Sequence, residues 1–426
     1  MNPEIFLKEL FNVAVKKAHP NDGLISALST LPKCINGKTV ILGAGKGAAA
    51  MASIAEGYFE GDVSGIVVTP YNHGCDTSIV EVVEAAHPVP DGAGQVVAKK
   101  MLSIVEDLSA NDRVIFLVSG GGSSLLVLPV ESIELSEKQS INKQLLRSGA
   151  SIDEINCVRK KLSQIKGGRL ALHCMPAEVH TFAISDVPGD SPSVIASGPT
   201  VQDDTTVEEA IEVLSRYNIQ VSHSVLSYLE EQKNHQSEWN VLPEKNTFTI
   251  VSTPQMSLDA AAKYALSQGI TPIILGDLEG ESREVAKVHA GIARQIVNYN
   301  QPCTAPCVVI SGGETTVTVK GKGRGGRNVE FLLSLTLDLK GEKGVSAIAC
   351  DTDGIDGTED NAGAIMLEGT YDSALKKQLN PRDYLENNDG YNFFEALDLL
   401  IFTSPTRTNV NDFRAILIQS EGFTAS

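Results

Sequence analysis

Apolar residues at Ile5, Phe6, Leu10, Phe11, Val13 and Ala14 recur at the spacing of one helix face, and His19-Pro20 ends that helix. Beyond it, short apolar runs alternate with helical patterns. Residues 39–42 run into Gly43-Ala-Gly-Lys-Gly47 and an alanine-rich helix, and 66–69 and 80–84 read as further strands. Residues 114–118 run into Ser119-Gly-Gly-Gly-Ser-Ser124, and 181–184 into Ser185-Asp-Val-Pro-Gly-Asp190. Buried strands alternating with helices, each strand ending in glycine or acid, predict a parallel sheet covered by helices. The polar segment 230–246 breaks the pattern, which restarts with strands expected at 248–251, 272–275, 308–310 and 345–349. Residues 315–320 directly after Gly312-Gly313 read as an extra strand, so the second sheet is expected to be mixed. The chain is therefore read as two α/β domains, 1–240 and 241–426, with a ligand site beyond the strand ends in the cleft between them.

Composition narrows the functions. A chain of 426 residues with 42% hydrophobic content can bury a full core without staples. Its 35 basic and 53 acidic residues give a net charge of −18, which argues against nucleic acid and anionic membrane surfaces as partners. The seven cysteines are scattered without zinc spacing, as in a reduced cytoplasmic protein. The longest uncharged apolar stretch, 114–130, is broken by glycines, and the charged N-terminal helix does not read as a signal peptide. A homo-oligomer remains open.

Several motifs carry chemistry. Gly43-x-Gly45-x-Gly47 after a strand has the form of a dinucleotide turn. Lys46 inside it favours a carboxylate or phosphate, and no acid ends the next strand to hold a ribose. A plain tight turn is the alternative. No Walker A loop is present. In Ser119, Gly120, Gly121, Gly122, Ser123 and Ser124, glycines let backbone N–H groups approach an anion and serines add donors; a tight strand-to-helix turn is again the alternative. Ser151 and Glu154 form a capping box for a helix expected to run to Gly167-Gly168. Arg159 and Lys166, seven apart, would share one face of it, as an anion site or as a solvated face.

Gly312, Gly313 and Glu314 precede Lys320-Gly-Lys322-Gly-Arg-Gly325-Gly326-Arg327, four bases interleaved with glycines, read as a flexible loop closing on phosphates. Asp351, Asp353 and Asp356 offer hard oxygens for Mg²⁺, or cap a helix. Nine of the 35 bases fall in segments 159–169 and 320–327, neither of which holds an acid. Such local reversals of charge suit Mg²⁺–nucleotide phosphoryl transfer.

The stretches GAGKGAAAMA (43–52), HPVPD (87–91), VSGGGSSLL (118–126), VRKKLSQIKGGRLA (158–171) and ISDVPGDSPSVIASGPT (184–200) resemble the N-terminal domain of the glycerate 2-kinases. SGGETTVTVKGKGRGGRNVEF (311–331), TDGIDGTEDNAGA (352–364) and TNVNDF (408–413) resemble their C-terminal MOFRL domain, placed at about 300–418. The resemblance implies a Rossmann-like first domain and ATP- and Mg²⁺-dependent phosphorylation of D-glycerate to 2-phosphoglycerate. It implies Lys46 on the phosphoryl group or substrate carboxylate, Arg327 on transition-state charge, and Asp190 orienting or deprotonating the hydroxyl. Gly45, the 119–124 loop, Arg159, Lys166 and Asn409 would hold substrate or phosphate. Gly312, Gly313, Lys322, Gly325 and Gly326 would hold nucleotide, with Glu314, Asp351 and Asp353 for Mg²⁺. The family's T-G-P-T-G-T-N-V motif is here Thr403-Ser404-Pro-Thr-Arg407-Thr-Asn-Val410, and Ser191 follows Asp190 where a second aspartate is frequent. The competing functions are an NAD(P)H-dependent hydroxypyruvate reductase and a non-catalytic sensor of phosphorylated metabolites.

Overall fold

In the computed structural model, which describes residues 2–32, 36–233, 242 and 244–419, the apolar runs of the first half become one six-stranded sheet. Its order is Glu81–Ala85, Val63–Pro70, Thr39–Ala44, Arg113–Val118, Glu178–Ile184 and Asn246–Ser252. The first five strands pair in parallel. Thr39–Ala44 and Arg113–Val118 are buried at every position, which is why they read as unbroken apolar runs without alternation. Their register sets Ala44 against Val118, so the turn that begins at Gly45 and the one that begins at Ser119 leave the sheet side by side.

The second sheet runs Leu400–Ile401, Gly363–Met366, Val345–Asp351, Asp412–Ile418, Cys307–Gly312 and Thr271–Asp277. Only the last pair is parallel. The sheet is mixed, but not because of residues 315–320: there only Thr315–Thr316 is a strand, paired with Gly280–Glu281 outside the main sheet. Antiparallel Gly363–Met366 and Asp412–Ile418 supply the mixing. The second of these is wholly buried although it carries Asp412 and Arg414.

The chain divides into one unit of residues 20–251 and another of residues 1–19 with 252–426. This differs from a division at 240/241, a point that lies outside the described residues, as do Cys34 and most of the polar segment 230–246. Strand Asn246–Ser252 completes the first sheet instead of opening the second. Helix Pro3–Ala18, capped by the Asn2 side chain, buries Phe6, Leu7, Leu10 and Phe11 in one core with Leu258, Ala261, Ala265 and Phe413. Its pattern specified a buried face but not which sheet would cover it. Among the described residues no helix is long and apolar enough to cross a membrane.

Candidate functional site

In the unit of residues 20–251, two turns lie together. Gly45 has φ +133, and a Cβ there would sit 2.3 Å from Ser119 Oγ and 2.5 Å from its carbonyl oxygen, so only glycine fits. The first turn's amides are all committed. Gly45 N donates to Val68 O, Lys46 N to Gly120 O, Gly47 N to Ser119 Oγ and Ala48 N to Gly45 O. The turn therefore has no amides for a phosphate, and of its residues the Lys46 side chain is the one suited to an anion. The second turn differs. Gly122 and Ser124 N–H groups bond within it, whereas those of Gly120, Gly121 and Ser123 donate to no acceptor among the described residues. Gly121, at φ +81, is faced by the His87 ring and the Lys46 side chain, 2.9 and 3.7 Å from where its Cβ would be.

The basic stretch beside this loop is built differently from its sequence reading. The capped helix ends at Lys161, so Arg159 and Lys166 share no helical face. Lys161 pairs with Asp203 at 2.8 Å and Lys160 at 3.4 Å, and Arg169 donates to the Ser163 carbonyl. Arg159 bonds Asn142. Lys166, 1% exposed, donates to the carbonyls of Ser123 and Ala196 at 2.8 and 3.2 Å. Burial, with Lys138 and Arg159 nearby, holds its ammonium well below the ordinary value. Most of these charges stabilise the chain's own acceptors, and Lys166 braces the 119–124 loop from beneath.

Ala196, Ser197 and Gly198 take consecutive left-handed conformations at φ 51, 62 and 60, and Ser197 Oγ links Ser123 Oγ to Asn156. Asp190, also left-handed at φ 53, has a buried Oδ1 without a hydrogen-bond partner. A strained backbone that presents an unsatisfied carboxylate oxygen is a frequent mark of a functional position.

In the other unit the charged residues converge on Arg327. Its Nε donates to both Asp412 oxygens at 2.8 and 3.0 Å, Nη1 to Glu314 at 2.7 Å and Nη2 to Asp351 at 2.6 Å. Burial opposes its charge, but Asp412, Asp351 and Glu314 together outweigh it and hold the guanidinium above its ordinary value. Buried Arg414 also binds Asp412 and donates to the Gly312 carbonyl at 2.7 Å. Asp356, pushed up to about 6 mainly by burial, accepts the backbone N–H groups of Asn328 and Val329.

The glycine-basic loop is pinned. Asn388 Oδ1 accepts Lys320 N and Gly321 N, Asn387 Oδ1 accepts Lys322 N, and Asp389 Oδ1 accepts Arg324 N. A Cβ on Gly321 would lie 2.0 Å from Asn387 O, and one on Gly326 2.3 Å from Asp356 Oδ1. Close backbone approach, and not flexibility, explains these glycines. Gly312 and Gly313 are likewise packed against Asp277 and Leu278. Asn409 is buried, its Oδ1 accepting Asn411 N at 3.3 Å.

Residues 6–230 match the family described as "Domain of unknown function (DUF4147)" and residues 307–412 match the MOFRL family. The chain is 41% identical over 387 residues to the D-glycerate 2-kinase of Thermotoga maritima, covering 90% of this chain and 91% of that one. It is 46% identical over 416 residues to an Agrobacterium vitis protein named "Putative hydroxypyruvate reductase", covering 97% and 94%. A crystal structure of glycerate kinase from Thermotoga maritima superposes with a TM-score of 0.87 at 38% identity, covering 98% and 100%. The chain belongs to the glycerate 2-kinase family.

In this chain the carboxylates expected to bind Mg²⁺, Glu314, Asp351 and Asp353, do not form a metal cage. Arg327 occupies Glu314 and Asp351, Asp351 Oδ1 accepts Asp353 N, and Asp353 Oδ1 accepts Ile355 N. Among the described residues no group of three or more His, Cys, Asp or Glu side chains could hold a metal ion. A cation carried by nucleotide phosphates needs only one or two protein carboxylates. Ser404 and Arg407, in place of the family's glycines, keep glycine-type backbone at φ 59 and 60, beside Gly354, whose Cβ would lie 2.3 Å from Ser404 O. The sequence reading missed Asp412 and Arg414; an acid and a base two apart at the start of an apolar C-terminal run were the available signal.

Proposed function

We propose that the protein is an ATP-dependent glycerate 2-kinase, forming 2-phosphoglycerate from D-glycerate with Mg²⁺ delivered as the nucleotide's counter-ion. The observation that carries this reading is the pair of turns at 45–47 and 119–124. Uncommitted amides of Gly120, Gly121 and Ser123 beside the Lys46 side chain suit the carboxylate of a small hydroxy acid. In this reading Asp190 Oδ1 accepts the proton of the 2-hydroxyl as its oxygen bonds the γ-phosphorus and the bond to the ADP oxygen breaks. Lys46 neutralises the charge that develops on the transferring group.

A nicotinamide-linked reductase would place a pyrophosphate on the amides of residues 45–48, and these already donate to protein acceptors. Incubation with ATP, Mg²⁺ and D-glycerate, read by phosphorus NMR, tests the proposal. 2-Phosphoglycerate is expected; 3-phosphoglycerate alone, or no product, overturns it. Nicotinamide oxidation with hydroxypyruvate in the absence of ATP would restore the reductase.

A further inference from the structure

Lys166 places an ammonium where no ligand can touch it. Its side chain lies beneath the 119–124 loop, 1% exposed, and Nζ donates to Ser123 O at 2.8 Å and Ala196 O at 3.2 Å. Among the described residues no carboxylate pairs with it. The charges acting on it are those of Lys138 and Arg159, both cations, which bond the Leu162 carbonyl and Asn142. A buried ion without an opposite charge is costly to the fold.

Hydrogen bonds of the loop lead from that ammonium to uncommitted donors. Ser123 O belongs to the peptide unit that ends in Ser124 N–H, which donates to Gly121 O at 3.1 Å. The Gly121 unit ends in Gly122 N–H, which donates to Ser119 O at 3.2 Å. The Ser119 unit ends in Gly120 N–H, which donates to no acceptor among the described residues. Peptide units 123–124, 121–122 and 119–120 therefore stand in series, with the ammonium at one end and an open donor at the other. A cation on a carbonyl oxygen polarises its amide, and each polarised N–H strengthens the next bond. The base of this row is fixed. Ala196 is left-handed at φ 51, and Ser197 Oγ links Ser123 Oγ at 2.7 Å to Asn156 at 2.9 Å.

We infer that Lys166 is a positioning residue for an anion on the 119–124 loop. It acts through these peptide units and not by contact, and a bound carboxylate supplies its opposite charge. This rests on the reading of the loop as the carboxylate site of a hydroxy acid. It adds what makes that site select the charged acid over a neutral molecule of the same shape. Burial holds the ammonium well below its ordinary value, and an anion across the loop pulls it back up.

The test is calorimetric titration of wild type, K166M and K166Q with D-glycerate and with D-glyceramide, its neutral amide, alongside steady-state kinetics. K166Q offers an N–H donor without the charge, so it carries the test if K166M fails to fold. Both variants should bind D-glycerate about tenfold more weakly and D-glyceramide as the wild type does. KM for D-glycerate should rise by a similar factor, with KM for ATP unchanged. A purely structural lysine would weaken acid and amide alike. That result, an unchanged preference for the acid, or a wild type without such a preference overturns the assignment. The two readings fail separately. Wild-type protein that prefers D-glycerate in a Lys166-dependent way but never phosphorylates it retains the assignment and loses the kinase. Turnover with a preference that K166Q leaves intact does the reverse.

Discussion

Arg327 and Asp412 form a forked pair, one guanidinium N–H shared between both carboxylate oxygens at 2.8 and 3.0 Å. Asp412 is also the partner of buried Arg414, so a single carboxylate balances two arginines. Asp412→Asn should destabilise its unit by about 3–5 kcal/mol, the cost of leaving a buried ion without its partner, measured by urea denaturation. Arg327→Lys retains the charge but not the planar fork. It should lower the urea midpoint at constant m-value, by less than Asp412→Asn does, because an ammonium still faces Asp412, Glu314 and Asp351 but cannot bond all three.

Asp190 is expected to act on the acceptor hydroxyl. Asp190→Asn keeps the side chain's shape and tolerates the left-handed backbone as aspartate does, so the melting temperature should hold. Turnover with ATP and D-glycerate should fall about 10²–10⁴-fold. Unchanged kcat would remove Asp190 from the chemistry.

Ser404 and Arg407 hold φ values of 59 and 60, where a Cβ costs roughly 1–2 kcal/mol. Replacing either with glycine removes that strain and adds about 0.5–1 kcal/mol of unfolded-state entropy. Ser404→Gly and Arg407→Gly should each therefore stabilise by about 0.5–1 kcal/mol net, read from urea midpoints at constant m-value.

Lys138, 2% exposed, donates to the Leu162 carbonyl at 3.1 Å. Burial, then Arg169 and Arg159, pushes its ammonium down to about 7. Since the unfolded chain binds this proton more tightly, the site's contribution is lost as pH falls through 7 and returns as pH rises toward 10. Stability measured between pH 7 and 10 should include this rising component. Lys138→Met should remove it, and an unchanged slope would show that Lys138 stays charged when folded.

The fold was legible where burial was complete. Strands such as Thr39–Ala44 and Arg113–Val118 have no face for polar residues, so their runs stood out. Asp412–Ile418 is just as buried, but the pairing of Arg414 with Asp412 within it hid a central strand behind two charges. The Gly-Gly-Gly-Ser-Ser loop and Lys46 were legible as local signals, and the structure sets them side by side. Composition could not distinguish bases that await a ligand from bases that hold the chain. Lys161 with Asp203, and the loop amides with Asn387 and Asn388, are satisfied by residues 42 and 65–68 positions away. Spacing alone carries no record of such partners.

The core shared by helix Pro3–Ala18 and residues 258–265 has a consequence for synthesis. Helix Pro3–Ala18 has its covering surface encoded some 240 residues later. At about 5–20 residues per second, Phe6, Leu7, Leu10 and Phe11 remain without that cover for roughly 10–50 s. The segment between them, residues 20–251, has its own sheet to assemble in that interval. Through that interval the helix carries an apolar face that the finished unit keeps from water.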